Sequence, residues 1–248
     1  MPKLDWLTAR PVTHRGLHDA RAGVIENTAS AFAAAIAGGY GIECDVQVSR
    51  DGEAVVHHDF VLGRLTEGSG PLGALTTAEL KIVAFRDTTD RMLTLGELCA
   101  LVGGRVPLLV EIKSRFDGDL TLTRRVADVL RSYAGPAAAM SFDPKLVALL
   151  RAIAPEITRG IVAEQQYRHP EWAALPPFRR WQLKHLAHAL RTRPHFVAWS
   201  VRDLPAATPW IARRVFGLPL VTWTVRTEDD RRRAARWADQ VIFEGWRP

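Results

Sequence analysis

Apolar runs rich in β-branched residues alternate with helical patterns along the whole chain of 248 residues. This alternation is typical of βαβ units and of a parallel sheet. We predict eight parallel strands, at residues 11–14, 41–49, 107–113, 137–142, 158–162, 195–200, 219–225 and 239–243. Eight strands with intervening helices in about 250 residues predict a (β/α)8 TIM barrel. A doubly wound open sheet is the alternative, but no Gly-x-Gly-x-x-Gly sequence follows an early strand.

The stretch between the second and third predicted strands is longer than a crossover helix needs. Asp51-Gly52 is a hairpin turn signal that leads into a short apolar run at 54–58. A further helix is predicted at 95–102, before the next strand. We therefore expect one barrel domain over residues 1–248, with a small hairpin and helix inserted after strand 2, at about 50–94.

Composition narrows the class of protein. A hydrophobic content of 47% is enough for a full core. The formal charge of +6 suits an anionic partner such as phosphate, and a solvated basic surface also accounts for so modest an excess. Cys44 and Cys99 give neither a disulfide framework nor a zinc-binding spacing. The start of the chain lacks a signal-peptide pattern and no apolar run is long enough to span a membrane, so we expect a cytoplasmic enzyme without stable membrane insertion.

Polar residues gather at the ends of the predicted strands. The clusters are His14-Arg15-Gly16, Glu26-Asn27-Thr28, Glu43-Cys44-Asp45, His58-Asp59 and Glu111-Ile112-Lys113. Successive strand side chains alternate between faces, so Glu43 and Asp45 point the same way and Cys44 points oppositely. In a barrel the active site lies at the C-terminal ends of the strands, which is where His14, Glu43, Asp45 and Glu111 fall.

These residue types indicate a metal-assisted hydrolase acting on an anionic substrate. Glu43, Asp45 and Glu111 form an oxygen-rich set without a paired histidine or cysteine spacing, which favours Ca²⁺ or Mg²⁺ over zinc. His14 and His58 can exchange protons near neutral pH. We expect them to be the acid/base pair, and the residues leave open which is the acid. Each cluster in isolation is ordinary, and their joint occurrence at strand ends favours the functional interpretation.

The clusters belong to a longer ordered series. It continues through Ala31-Phe32, Val46, Ser49-x-Asp51-Gly52, Val55-Val56, Leu62-x-Arg64-x-Thr66 and Gly70, and later through Ser141-Phe142 and Trp223-Thr224-Val225. In order and spacing over residues 14–113, the chain resembles the glycerophosphodiester phosphodiesterase family. It departs from the family pattern at Ile25, where proline is usual, at Arg226, where asparagine is usual, and in its ending at 243–248.

The resemblance implies a metal-dependent phosphodiesterase on a TIM barrel, which releases sn-glycerol 3-phosphate and an alcohol from small glycerophosphodiesters. By position it assigns metal ligands at Glu43, Asp45 and Glu111, an acid/base pair at His14 and His58, and phosphate contacts at Arg15 and Lys113. Trp223, at a strand end, is either a wall of the substrate pocket or plain core. Glu26 and Asn27 support the site or cap the following helix, and Asn27 can do both.

Two other functions fit parts of the pattern. A phospholipase-D-like hydrolase of lysophospholipids would keep the metal centre and place a lipid in the pocket. A non-catalytic phosphate-binding barrel has no chemical need for two histidines, and nucleic-acid binding is not expected because no recognised motif accompanies the basic charge.

The segment 179–191 has apolar residues at 183, 186, 187 and 190 and a basic opposite face. It reads as a barrel helix or, alternatively, as an interfacial helix for peripheral contact with anionic lipid.

Overall fold

The chain folds as a closed barrel of parallel strands. The computed structural model describes residues 4–167 and 172–248, and in these residues the strands are β1 (Val12–Thr13), β2 (Gly41–Val48), β3 (Ala54–Val56), β4 (Val61–Leu62), β5 (Gly70–Pro71), β6 (Leu108–Ile112), β7 (Ala137–Ser141), β8 (Thr158–Ala163), β9 (Phe196–Ser200), β10 (Leu220–Val225) and β11 (Gln240–Phe243). The barrel order is β1-β2-β6-β7-β8-β9-β10-β11, and β1 also pairs with β11. This closure confirms the (β/α)8 prediction and excludes the open sheet.

Helices connect the strands on the outside. In the described residues they are α1 (Asp5–Thr8), α2 (Ala29–Ala37), α3 (Thr77–Ile82), α4 (Leu95–Val102), α5 (Thr121–Arg131), α6 (Pro144–Ile153), α7 (Pro177–Lys184), α8 (Ala189–Thr192), α9 (Ala207–Arg214) and α10 (Glu228–Trp237). Several begin at side-chain caps that the sequence shows. Thr94 and Glu97, for example, form a reciprocal capping box at the start of α4. No helix of the described residues is long and apolar enough to cross a membrane.

The insertion after β2 packs as a small layer of its own. β3 runs antiparallel to β2, with Val56 opposite Val46, and β4 pairs with β5. Behind this hairpin, Val55, Leu72 and Leu80 belong to a separate buried apolar cluster. The predicted hairpin and helix are therefore present, and they extend the barrel wall beside the ends of β1 and β2.

The core divides into an apolar floor and an outer shell. Inside the barrel, side chains such as Leu109, Met140, Phe196 and Val221 fill the lower part. A larger cluster, which includes Cys44, lies between the barrel wall and the surrounding helices. Because apolar side chains occupy the floor, the polar residues of the strands collect above them, at the C-terminal ends.

The predicted amphipathic helix at 179–191 is interrupted. α7 ends at Lys184 and α8 begins at Ala189, because Leu186 adopts a left-handed backbone conformation with φ of 51°. Leu183 and Leu186 are buried, whereas Leu190 is 90% exposed. The prediction of one continuous apolar stripe is therefore wrong, since only its first half packs on the barrel.

Candidate active site

Three carboxylates meet at the C-terminal ends of two neighbouring strands. Glu43 and Asp45 lie on the inner face of β2, and Asp45 stands opposite Glu111 of β6 in the parallel register. All three are buried, and each offers an oxygen within 4.8 Å of the others. The alternation predicted for β2 is present, since Cys44 points away into the outer core. The three carboxylates that the sequence proposes as metal ligands therefore lie together.

The pKa values of Glu43 and Asp45 are shifted in opposite directions. Burial, together with the charges of Asp45 and Glu111, raises the pKa of Glu43 well above its usual range. Burial also opposes ionisation of Asp45, but Lys113 and Arg15 outweigh it and hold the pKa of Asp45 well below its usual range. The site thus concentrates negative charge that requires nearby cations.

Lys113 and Arg15 supply that positive charge. Nζ of Lys113 lies 2.8 Å from Oδ1 of Asp45 and 2.7 Å from Oε1 of Glu111. Nε of Arg15 lies 2.9 Å from Oδ2 of Asp45. This contact is an ion pair and not a hydrogen bond, because the N–H is not directed at that oxygen. The backbone N–H of Arg15 donates to Oε2 of Glu43 at 3.0 Å. Both cations predicted to contact phosphate therefore sit beside the carboxylates.

The turn after β1 places Arg15 in this position. Arg15 and Gly16 have φ of 57° and 83°, in the left-handed region that favours glycine. A Cβ on Gly16 would lie 2.8 Å from Cβ of Ala31 on α2. The glycine of the His-Arg-Gly cluster is thus required by backbone conformation and by close packing on α2.

His14 is held by a carboxylate from the other end of the chain. Its Nδ1 lies 2.7 Å from Oε2 of Glu244, and the same oxygen accepts a hydrogen bond from Nη2 of Arg226 at 2.8 Å. Burial lowers the pKa of His14 to about 4, although the Glu244 contact acts in the opposite direction. Burial also opposes ionisation of Glu244, but His14 and Arg226 hold the pKa of Glu244 below its usual range.

His58 is also held by a carboxylate, that of the adjacent residue Asp59. Its Nδ1 lies 2.8 Å from Oδ1 of Asp59, whose other oxygen lies 2.5 Å from Nε of Arg64. Burial opposes ionisation of Asp59, but the contacts with His58 and Arg64 hold the pKa of Asp59 below its usual range. His57, which strand alternation places on the opposite face, is 1% exposed and packs near Phe85.

Glu26 and Asn27 contact the charged residues and do not cap α2. Oε1 of Glu26 binds both Arg15, at 2.8 Å, and Arg64, at 2.7 Å. Nδ2 of Asn27 donates to Oδ2 of Asp45 at 3.0 Å, and Oδ1 of Asn27 accepts from the backbone N–H of Asp45 at 3.3 Å. Thr28 is the N-cap position of α2, without a side-chain capping bond. Of the two alternatives, support of the site is the one that the contacts favour.

Two adjoining cavities open above these residues. The first, of about 330 Å³, is lined by both histidines, by Glu43 and Glu111, and by Trp223. The second, of about 610 Å³, shares His58 and Lys113 with the first and is walled by the aromatic residues Phe60, Phe116, Phe142 and Trp172. Trp223 contacts Phe142 edge to face at 5.6 Å, and its indole N–H is buried without a hydrogen-bond partner among the described residues. Trp223 is therefore a wall of the first cavity.

The donors at the carboxylate cluster fit a hard divalent cation. They are oxygen atoms from three side chains, and the ammonium group of Lys113 already binds two of these side chains. A second group of candidate ligands, His14, His18 and Glu244, also lies within 4.8 Å, but it offers two imidazoles and a single carboxylate, which suit Ca²⁺ or Mg²⁺ less well. The first group is therefore the better cation site of the described residues.

Sequence reasoning does not assign Glu244, Arg226, Asp59 or Arg64 to the site. Glu244 follows directly after β11, so the rule that selects His14 after β1 also selects Glu244. Asp59 is adjacent to His58, and its side chain is short enough to reach the neighbouring imidazole. Arg64 belongs to the ordered series and Arg226 departs from the expected pattern, but the sequence does not indicate their contacts, because long side chains reach partners that spacing does not specify.

Comparisons with known proteins give a consistent picture. The sequence model of the Glycerophosphoryl diester phosphodiesterase family matches residues 14–244. A glycerophosphodiester phosphodiesterase of Caldanaerobacter subterraneus subsp. tengcongensis is 39% identical over 102 residues, which cover 41% of this chain and 37% of that protein. A protein named probable glycerophosphodiester phosphodiesterase 1, from Mycobacterium tuberculosis, is 31% identical over 168 residues, which cover 58% of this chain and 60% of that protein.

The fold is shared with solved structures. A phosphodiesterase of Oleispira antarctica, solved in complex with the product sn-glycerol-3-phosphate, is 21% identical and superposes with a TM-score of 0.76, covering 96% of this chain and 94% of that one. At this identity the likeness shows the barrel fold. The chain matches less than two thirds of the length of either sequence relative.

Proposed function

Because this chain belongs to the glycerophosphoryl diester phosphodiesterase family, we propose that it hydrolyses glycerophosphodiesters to sn-glycerol 3-phosphate and an alcohol. One observation carries the proposal. Two histidines line one cavity with Glu43 and Glu111, two of the three clustered carboxylates, and each histidine has Nδ1 bound to a carboxylate of its own. This arrangement leaves Nε2 of both imidazoles available for proton transfer to a substrate.

The substrate phosphate is anionic, and the cavity offers groups that bind it. A divalent cation, Ca²⁺ or Mg²⁺, held by Glu43, Asp45 and Glu111 would supply Lewis-acid neutralisation of the phosphate oxygens. Arg15 adds a guanidinium that can bind two oxygens at once, and Lys113 adds an ammonium. Both line the cavity beside the carboxylates, within reach of a phosphate bound there. The side chain of Trp223 walls the same cavity and can pack against the glycerol group.

We assign different roles to the two histidines, and the lowered pKa of His14 is the basis for this assignment. Glu244 is ionised and can only accept, so the proton of neutral His14 resides on Nδ1 and the lone pair on Nε2. With a pKa of about 4, His14 is neutral at pH 7, so its Nε2 has a lone pair that can accept a proton from the attacking hydroxyl. That hydroxyl belongs either to water, which gives sn-glycerol 3-phosphate directly, or to the neighbouring carbon of the glycerol group, which gives a cyclic phosphate that water then opens. His58 acts as the imidazolium, whose Nδ1–H is bound by Asp59, and delivers its Nε2 proton to the leaving alkoxide.

A lysophospholipid substrate is the second candidate, favoured by the aromatic cavity. Its volume of about 610 Å³ and its walls of Phe60, Phe116 and Trp172 suit an apolar group larger than a small headgroup. The guanidinium of Arg115 lies 4.3 Å from the ring centroid of Phe60, so a cationic choline group meets a like charge there. Both features favour an acylated substrate in this cavity.

The experiment that tests the proposal supplies glycerophosphocholine and lysophosphatidylcholine in parallel to purified protein. Choline release is measured with EDTA, Ca²⁺ or Mg²⁺ present. Metal-dependent release from glycerophosphocholine supports the first candidate. Release from lysophosphatidylcholine alone supports the second, and no release from either substrate by folded protein contradicts both.

A further inference from the structure

Positive charge is concentrated in one part of the chain. Residues 172–216 contain eight Lys or Arg and a single acidic residue, Asp203, a formal charge of +7. The whole chain carries +6, so the remaining residues together total −1. The basic character that the composition shows therefore belongs to one sector of the barrel, which comprises α7, α8, β9 and α9.

Exposed apolar side chains are concentrated in the same sector. Of the nine large apolar residues that are exposed in the described chain, seven lie here: Phe178, Trp181, Leu190, Trp210, Ile211, Val215 and Phe216. Phe178 and Trp181 stack with a centroid distance of 6.0 Å and an interplanar angle of 11°. Leu190 is 90% exposed and Phe178 is 68% exposed. Scattered single apolar residues are ordinary on a surface, but such a concentration marks an interaction site.

The helices that carry these residues are neighbours. α7 and α8 follow β8, α9 follows β9, and β8 pairs with β9 in the barrel. Leu186, between α7 and α8, packs in the same buried cluster as Ala212 of α9. We call the seven exposed apolar residues, with the exposed Arg191 and Arg214, the α7–α9 face.

The α7–α9 face also lies next to the substrate cavities. Leu183, on the buried side of α7, packs in one cluster with Trp172, and Phe142 contacts that cluster. Trp172 and Phe142 line both cavities. A surface bound to the exposed side of α7 is therefore separated from the cavity wall by the thickness of one helix.

We propose that the α7–α9 face docks on the surface of an anionic lipid bilayer. Aromatic and aliphatic side chains enter the headgroup region, while the surrounding arginines pair with anionic headgroups. A second copy of this chain fits less well, because a symmetric contact would place +7 against +7. A nucleic acid matches the charge, but it offers no environment for Leu190, Ile211 and Val215. The inference does not depend on which phosphodiester is hydrolysed.

Vesicle co-sedimentation tests the proposal with the full chain. The two vesicle types are phosphatidylcholine alone and phosphatidylcholine with about 30% phosphatidylglycerol. We expect at least about tenfold tighter binding to the anionic vesicles, lost at high salt. The double substitution Phe178→Ser with Trp181→Ser should weaken this binding at least about tenfold. Replacing Arg191 and Arg214 by Gln should weaken it by about fivefold per charge.

Ile82 provides the matched control. It is 80% exposed, but it lies on α3 of the insertion, so Ile82→Ser should bind vesicles like the unmodified protein. Turnover of a water-soluble substrate by each variant verifies that it is folded. The proposal is overturned if the anionic vesicles are not bound, or if the Phe178/Trp181 variant binds as well as the Ile82 variant. It is equally overturned if the unmodified protein is a dimer that the Phe178/Trp181 variant dissociates, or if a single-stranded oligonucleotide binds in place of vesicles.

Discussion

The Nδ1 atom of His14 lies 2.7 Å from Oε2 of Glu244, and this contact joins the loop after the first barrel strand to the loop after the last. Arg226, which binds the same oxygen, comes from the end of β10. Glu244 lies in the altered ending, and Arg226 stands where asparagine is usual in the family. Two of the three departures from the expected family pattern are therefore in contact, and together they position one proposed catalytic histidine.

Replacing Glu244 by Gln should impair turnover strongly. The amide can donate a hydrogen bond to Nδ1 of His14, which would move the imidazole proton to Nε2 and remove the base. We expect kcat to fall by about 10²–10⁴-fold, as expected for loss of the correct tautomer. Glu244→Asp, which keeps the carboxylate, should recover much of the rate. The measurement is kcat with saturating metal and substrate, and equal rates for the two variants would contradict a positioning role.

Asn27 should control metal affinity through Asp45. Its side chain makes reciprocal hydrogen bonds with Asp45, while its backbone has φ of 58°. Asn27→Gly removes the hydrogen bonds without backbone strain, and we expect Ca²⁺ or Mg²⁺ affinity to fall by about 10–100-fold. Asn27→Ala adds strain and should also lower stability. Calorimetric titration with each ion provides the measurement, and unchanged affinity of the Gly variant would show that Asn27 does not support the ligand.

Gly16→Ala should destabilise the fold through close packing as well as backbone strain. The added methyl group would lie 2.8 Å from Cβ of Ala31, at a φ of 83°. Gly217 has φ of 65°, but a methyl group added there would have no atom within 4 Å, so Gly217→Ala isolates the strain. We expect the free energy of unfolding, measured with denaturant, to fall by about 1 kcal/mol for Gly217→Ala and by about 3 kcal/mol or more for Gly16→Ala. Equal losses of unfolding free energy in the two variants would show that close packing at Gly16 does not contribute.

His195 should make stability depend on pH. Its Nδ1 accepts a hydrogen bond from the backbone N–H of Arg159 at 3.2 Å, which requires a neutral ring. Burial and the charge of Arg159 lower the pKa of His195 from 6.5 to about 4. Between these values the unfolded chain binds a proton that the folded chain does not. Stability therefore falls as the pH drops through this window, by about 1–2 kcal/mol for this half-buried group, because solvent screens part of the shift.

His195→Asn keeps a hydrogen-bond acceptor but removes the titrating group. The variant should lose less stability than the unmodified protein between about pH 7 and pH 5, as measured by urea unfolding at each pH. An identical pH dependence in the two proteins would show that other groups account for the acid sensitivity.

Most of the fold could be predicted from the sequence because strand and helix periods are local. All eight predicted barrel strands are present within one or two residues, and the Thr94 capping box marks the start of α4. The broken helix at 185–188 was not predictable in the same way. There the left-handed conformation of Leu186 overrides an apolar spacing that suits one long helix.

The candidate site also has a part that the sequence predicts and a part that it does not. Residues fixed by the strands, such as Glu43, Asp45 and Glu111, come together as alternation predicts. Contacts made by long side chains, such as Arg64 with Glu26 or Arg226 with Glu244, depend on rotamers and on loops distant in sequence. Arg226 binds Glu244 and Arg64 binds Asp59, and these two carboxylates fix the tautomer and orientation of His14 and His58. The contacts follow only from the folded structure.

The most direct test of the account is the rate of sn-glycerol 3-phosphate release from glycerophosphocholine by chelator-treated protein to which Ca²⁺ or Mg²⁺ is returned. His14→Ala and His58→Ala are assayed in parallel, with His57→Ala as the matched control beside the site. We predict metal-dependent release by the unmodified protein and the control, with each site variant slower by about 10²–10⁴-fold. Release without metal, or full activity after loss of His14 or His58, would contradict the account.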